Sequence, residues 1–313
     1  MNLQKICGIT FAPFAPYGNF SQEKTKQSLQ TMKERTNANF IILVPNGLQD
    51  TPNSEEICFT SEATMGDDEL KSIITYAQEL GLQVALKPTV NCKNGTWRAH
   101  VNFFDEDVPC EPKWKNWFDS YSAFQRHYAK LSQEMGCVMH IAGCEMVMSE
   151  RRADEWRQII SDIRTEYKGI VSYNTDKYQE HNVSWWDCVD MISSSGYYPI
   201  HDWENQLDRI EAVVKKFNKP FFFAEAGCMS VKGSNLVPND WTIRNDLDLI
   251  GQADWFNAMF LACEKRDWVQ GWALWSWTDK LYPEHTAAQK GDYELFGKPA
   301  EQVVHQYYSK YHA

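Results

Sequence analysis

Glu225 closes the run "KPFFFAEAGC" and Glu145 closes "CVMHIAGCEM". Each run is short and apolar until it reaches its carboxylate, the pattern of a strand buried on both faces. An ionised glutamate at such a boundary is costly unless another group pairs with it or uses it. Two carboxyls that face each other across a cleft suit the hydrolysis of a glycosidic bond. One must be protonated, to give its proton to the leaving oxygen, and the other ionised, to attack or to activate water. The two glutamates stand 80 residues apart, so the scaffold has to bring the ends of two distant strands together.

The runs that would build this scaffold recur along the chain: "KICGITFAP", "ANFIILVP", "LQVALKP", "CVMHIAGC", "GIVSYN", "DMISSSGYY", "KPFFFAEAG" and "VQGWALWSW". Helical periods separate them. Leu70, Ile73, Ile74, Ala77 and Leu80 form one apolar face, and Trp117, Tyr121, Phe124, Tyr128, Leu131 and Met135 another. Leu207, Ile210, Val213, Val214 and Phe217 make a third, and Trp255, Met259, Phe260 and Cys263 a fourth. A helix over "SQEKTKQSLQTMKERT" shows only Leu29 and Met32, and the segment between the fifth and sixth strands has room for a turn or two. Eight strands alternating with helices predict a closed (β/α)8 TIM barrel, a single catalytic domain over residues 1–313. The long segments follow strands three, seven and eight, on the face where this fold does its chemistry. Glu145 and Glu225 end strands four and seven, and both point into the barrel mouth.

The remaining composition excludes several classes. A net charge of −11 offers no basic stripe for a nucleic-acid backbone. No apolar run approaches the ~20 residues a membrane helix needs. Nine cysteines, an odd number without Cys-x-x-Cys, fit reduced thiols. With no signal peptide in "MNLQKICGITFAPFAPYG", they lead to an expected cytoplasmic location. The eight histidines form no H-x-H or H-E-x-x-H, and there is no G-x-G-x-x-G, P-loop or G-x-S-x-G elbow. Neither metal nor cofactor is therefore expected. His140, inside the fourth strand, reads as a hydrogen-bonded core histidine, and Cys144 and Cys228 as small packing residues beneath the two glutamates. The 13 Trp, 14 Tyr and 16 Phe are more than usual; much of this is core, but the excess of Trp also suits a sugar-binding cleft.

Glutamates ending the fourth and seventh strands resemble the clan of retaining glycosidases built on this barrel. "LKPTVN" followed by "GTWRAHV", then "AGCEM", "SGYYP", "FAEAGC" and "GWALWSWTD" in that order resemble glycoside hydrolase family 113, known for β-1,4-mannanase activity. The resemblance spans most of the chain. It implies that Glu145 is the acid/base and Glu225 the nucleophile, with manno-oligosaccharides or mannan as substrate. Many members of the clan carry Asn before the acid/base, where it bonds the sugar 2-hydroxyl. Here that position is Cys144, so the contact has to come from elsewhere or be weaker.

Around this pair, the need to hold a carboxylate ionised points to a phenol, Tyr197 first and Tyr198 as its alternate. Trp275 and Trp277 end the eighth strand and offer rings for the C–H face of a sugar. Lys87, Asn91, Trp97 and Arg98 in the third loop, with Asn46, Gln49 and Asn174 at the ends of strands two and five, offer polar contacts for hydroxyls. The alternatives to a mannanase are a β-glycosidase of the same clan acting on glucan or xylan fragments, and a catalytically silent glycan-binding barrel.

Overall fold

The computed structural model describes residues 4–61 and 63–311, and in it the eight apolar runs form the eight parallel strands of a closed barrel. The strands in chain order are β1 (Ile6–Phe11), β2 (Phe40–Leu43), β3 (Asn46–Gln49), β4 (Gln83–Leu86), β5 (Thr89–Cys92), β6 (Met139–Cys144), β7 (Ile170–Thr175), β8 (Met191–Ser195), β9 (Phe221–Glu225) and β10 (Val269–Trp277). β1, β2, β4, β6, β7, β8, β9 and β10 close the barrel. β3 and β5 pair with each other in a second, two-stranded sheet. Pro45 and Pro88 separate this small sheet from β2 and β4, because a proline cannot donate to the ladder. The pairing still runs on past them, through Lys87 N to Leu43 O and Thr89 N to Pro45 O, each 2.9 Å. Two segments that read as loops thus rise together as a short wall above the barrel.

Alternation sorts the strand residues into two cores. Ile6, Phe40, Ile42, Val44, Ala85, Met139, Ile141, Met191, Phe222, Ala224 and Ala273 form a small cluster that fills the barrel. Their neighbours Ile41, Leu43, Val84, Leu86, Phe221, Phe223, Trp272 and Leu274 belong to the larger cluster under the helices. Those helices are α1 (Glu23–Thr36), α2 (Asp67–Glu79), α3 (Trp114–Glu134), α4 (Ala153–Glu166), α5 (Trp203–Phe217), α6 (Leu249–Cys263), the short α7 (Glu284–Ala287) and α8 (Pro299–Ser309). The apolar faces read from the sequence on α2, α3, α5 and α6 are the faces that pack inward. α1 shows few large apolar residues because it buries Thr25, Ser28 and Thr36 beside Leu29 and Met32. Between β7 and β8 only a single 3-10 turn forms, Trp186–Cys188. Trp185 fills the place of a helix there, stacking on Trp156 with ring centroids 5.0 Å apart.

The ladders are irregular at the mouth. Pairing slips between Ile141 and Cys144 on β6, between Phe223 and Glu225 on β9, and at Thr10/Phe11 where β1 meets β10. Each slip inserts a residue into one strand, and such bulges re-aim the side chains that follow. Among the described residues no helix is long and apolar enough to cross a membrane.

Candidate active site

Strict alternation would turn Glu225 outward, since Phe221 and Phe223 face the helices while Phe222 and Ala224 fill the barrel. The bulge at Ala224 reverses this and sends the carboxylate into the mouth. The slip on β6 does the same for Cys144. Glu145 follows in the left-handed region, at φ 53°, with its backbone N donating to Asn174 O at 2.7 Å. Gly143 precedes them at φ 127°, where a Cβ would lie 2.1 Å from the Tyr121 hydroxyl, so both the backbone and the space call for glycine. Lys87, Asn174, Ser195 and Tyr197 reach the same mouth by continuing the inward parity of Ala85, Ser172, Ser193 and Ser195 along their strands.

The two carboxyls are almost wholly buried, Glu145 at 6% and Glu225 at 4% exposure. One oxygen of each, together with Cys144 Sγ, lies within 4.8 Å of the others. Glu225 Oε1 accepts from the ammonium of Lys87 in a buried ion pair and from Cys144 Sγ at 3.2 Å. Its Oε2 accepts from the Tyr197 hydroxyl at 2.9 Å. Burial works to raise the Glu225 pKa, but the Lys87 and Arg98 charges and the hydrogen bonds from Lys87 and Cys144 outweigh it and hold the carboxyl below its ordinary range. Burial, then the charges of Glu225 and Glu145, push the Tyr197 phenol well above its usual value, so it stays a donor.

Glu145 is held differently. Oε1 accepts from Ser195 Oγ at 2.7 Å, and Oε2 from Trp97 Nε1 at 3.2 Å and Arg98 Nη2 at 3.1 Å. Arg98 is locked in turn: Nε donates to Cys144 O at 2.9 Å and Nη1 to Asn91 Oδ1 at 3.0 Å, while Asn91 Nδ2 donates to Asn46 Oδ1 at 2.8 Å. The small sheet β3–β5 therefore steers the guanidinium onto Glu145. Asn174 Oδ1 accepts from Lys87 at 3.3 Å, and its amide donates to Ser195 Oγ at 3.1 Å, linking the surroundings of the two glutamates. Cys144, Glu145 and Glu225 could converge on a metal ion, but two fixed cations already balance the carboxylates, which leaves a third positive charge little to gain.

Of the residues expected here, Lys87, Asn91, Trp97, Arg98, Asn174, Tyr197 and Asn46 all join this network. Trp275 is half-buried at the mouth, its ring 5.8 Å from Lys87 Nζ and beside Phe14. Three expectations need correction. Trp277 does not share the cleft with Trp275. The register slip against β1 turns it outward, where it is fully buried on Phe296 and donates to Ser28 Oγ at 3.1 Å. Tyr198 faces the helices and donates to Glu180 Oε1 at 2.7 Å, because its parity is opposite to that of Tyr197. Gln49 spends both ends internally, accepting from Trp117 Nε1 at 3.0 Å and donating to Thr51 O at 2.7 Å.

Cys144 also differs from the packing role expected of it, since its thiol bonds Glu225 directly and accepts from Arg98 Nη2 at 3.4 Å. Cys228 is buried with contacts to Met229 O and Ser234 Oγ, each 3.5 Å. His140 is a core histidine, bonded to Ser132 and Gln125 and held down to about 3 by burial. Ser195 was missed, although the parity of Met191, Ser193 and Ser195 marks it. Asp176, behind β7, was missed because nothing local distinguishes it. Burial, then the Glu145 charge, push its carboxyl up to about 7 against the pull of Lys177.

The chain matches the model of Glycoside Hydrolase Family 113 over residues 9–298. It is similar to a solved structure described as a GH113 β-1,4-mannanase, at 52% identity and TM-score 0.97, over 98% of this chain and 99% of that one. A GH113 β-mannanase from Alicyclobacillus acidocaldarius, AaManA, in complex with ManMIm, is 39% identical over 99% of both chains, with TM-score 0.95. A β-D-glucuronidase of Dictyoglomus thermophilum, 14% identical with TM-score 0.65 over 99% of this chain and 50% of that one, shares the fold. No curated protein matches significantly.

Proposed function

The chain belongs to glycoside hydrolase family 113, and from that premise we propose that it is a retaining β-1,4-mannanase, with Glu225 as nucleophile and Glu145 as acid/base. The observation that carries this reading is the pair itself. Its facing oxygens lie within 4.8 Å, which fits the ~5–5.5 Å separation of retaining enzymes better than the ~6.5–9.5 Å that leaves room for water in inverting ones. The asymmetry of the pair supports the roles. Lys87, Cys144 and Tyr197 all donate to Glu225, which favours an ionised, oriented carboxylate.

In the first step a Glu225 oxygen forms a bond to the anomeric carbon as the bond to the leaving oxygen breaks, and the Glu145 proton passes to that oxygen. Water then gives a proton to Glu145 while its oxygen takes the anomeric carbon and frees Glu225. Two inversions give net retention. Tyr197, Lys87 and Asn174 border the bound sugar, and Trp275 offers it a ring to lie on. Nine free cysteines, six of them buried, fit a reducing compartment, and we assign the activity to short oligosaccharides in the cytoplasm.

The test is hydrolysis of manno-, gluco- and xylo-oligosaccharides, with the anomer of the first product read by NMR. Cleavage of the manno series with retained configuration is expected. A preference for the gluco or xylo series overturns the sugar, an inverted product overturns the mechanism, and inactivity on all three favours a silent glycan-binding barrel.

A further inference from the structure

Resting on the retaining reading above, we propose that Asp176 and Lys177, at the end of β7, bind hydroxyls of the departing sugar and so set the preference for a saccharide leaving group. The acid/base of such an enzyme stands at the leaving oxygen, so polar groups grouped around Glu145 and away from Glu225 face the departing residue. Asp176 is placed this way. Its partner Lys177 lies over the ring of Trp97, whose indole N–H donates to Glu145, and burial, then the Glu145 charge, raise the Asp176 carboxyl.

The pair is dry and under-used. The Asp176 and Lys177 side chains are 9% and 13% exposed. Among the described residues each is the other's only side-chain hydrogen-bond partner, through long contacts of 3.3 and 3.4 Å. An ammonium has three donors and a carboxylate about four acceptor positions, so most of their capacity is unspent. A buried charge pair satisfied this thinly is costly, and added hydrogen bonds offset that cost. Sugar hydroxyls can donate to Asp176 and accept from Lys177 together.

The apolar half of a saccharide site lies alongside. Lys177 Nζ sits 5.9 Å from the Trp97 ring, whose indole N–H bonds Glu145. Trp241 meets Trp97 edge-on at 6.5 Å and is 58% exposed, leaving a ring open for the C–H face of a sugar.

The experiment compares Asp176→Asn, Lys177→Met and the double variant with the wild type on mannotriose and on 2,4-dinitrophenyl β-mannobioside, whose leaving group has no sugar hydroxyls. The expected result is a fall in kcat/KM on mannotriose about tenfold greater than on the aryl glycoside, the worth of one hydrogen bond to a charged group. A role exerted only through the charge of Glu145 would also spare an activated leaving group, so a second readout is needed. The glycosyl-enzyme formed from the aryl substrate is partitioned between water and added mannobiose. Both acceptors use Glu145 as base, so altered acidity leaves their ratio unchanged, whereas loss of the binding site lowers transfer to mannobiose relative to water. Equal losses on both substrates, or an unchanged partition ratio, overturn the proposal. If the wild type cleaves only gluco or xylo analogues, the sugar assignment fails and the same comparison runs on the sugar it does cleave. Inactivity of the wild type on all three overturns both readings.

Discussion

At the scale of single residues, the two glutamates differ in what surrounds them, and that difference separates their roles. Glu225 takes a full cation from Lys87, a thiol from Cys144 and a phenol from Tyr197. With the attacking atom gone, Glu225→Ala should lose activity on every glycoside, by at least about 10⁴-fold. In Glu145→Ala only the proton is missing. Activity on mannotriose should fall about 10²- to 10⁴-fold, while a dinitrophenyl glycoside still forms the glycosyl-enzyme. That intermediate lacks its base, and azide, which needs no deprotonation, should restore turnover and give a glycosyl azide of retained configuration. Measuring both variants with and without azide checks the assignment, and an inverted azide product from Glu145→Ala would swap the two roles.

At the scale of the elements, the site is built by interruptions of the strands rather than by the strands themselves. β6 delivers Cys144 and Glu145 through a slipped register and a glycine at φ 127°. Gly143→Ala should therefore be destabilising by about 3 kcal/mol or more, since it combines a left-handed backbone with a clash. Only the clash involves the Tyr121 hydroxyl, which lies 2.1 Å from the added Cβ while the ring carbon Cζ is 3.4 Å away. Tyr121→Phe in the same chain should recover part of the loss, and denaturant midpoints of the single and double variants measure how much. Equal midpoints would mean that the backbone alone sets the requirement. The segment after β6 holds a second constraint. Glu150 accepts from Tyr173 at 2.8 Å and Thr175 at 2.7 Å through Oε1, while its Oε2 is buried with no partner among the described residues. Burial, opposed by those two hydrogen bonds, pushes its carboxyl up to about 8. A folded-state pKa above the unfolded one contributes stability that is complete below about pH 4.5 and is lost as pH rises toward 8. Glu150→Gln removes this loss. Its urea midpoint should gain on the wild type as pH climbs from 5 to 8, by at most about 1.4 kcal/mol per pH unit. Parallel pH curves would refute the buried neutral acid.

At the scale of the whole molecule, the barrel closes where the two ends of the chain meet. β1 pairs with β10, and α8 lies over the seam. Tyr308 donates to Gly8 O at 2.7 Å, Tyr307 stacks on Phe260 at 4.5 Å, and Glu301 accepts from Arg35 of α1 at 2.6 Å. Removing residues 299–313 would take away Ala300, Val304, Tyr307 and Tyr308, which are buried, and expose the apolar surface they cover. The loss is about 5 kcal/mol or more, comparable with the whole stability of an ordinary domain. The truncated chain should lose its cooperative unfolding transition by circular dichroism. A sharp transition near the wild-type temperature would show that the seam holds without α8.

The sequence by itself determined the number and order of the eight barrel strands (though not the small β3–β5 sheet), the inward faces of four helices and the positions of both glutamates at strand ends. Apolar periodicity is a local property, and a strand buried on both faces must declare itself in consecutive residues such as Phe221 to Ala224. The direction of each side chain at the mouth was decided by the tertiary structure. One inserted residue reverses parity, so Glu225 turns inward and Trp277 outward although strict alternation places both the other way. Such an insertion exists only relative to a neighbouring strand, and neighbours are set by closure of the barrel. Tyr197 over Tyr198, and Ser195 beside Glu145, lay within reach of parity alone. The thiol bond from Cys144, the steering of Arg98 by Asn91 and Asn46, and the lodging of Lys177 over the Trp97 ring did not. Each is a meeting of residues far apart in the chain or across a bulge, and only the folded barrel brings them together.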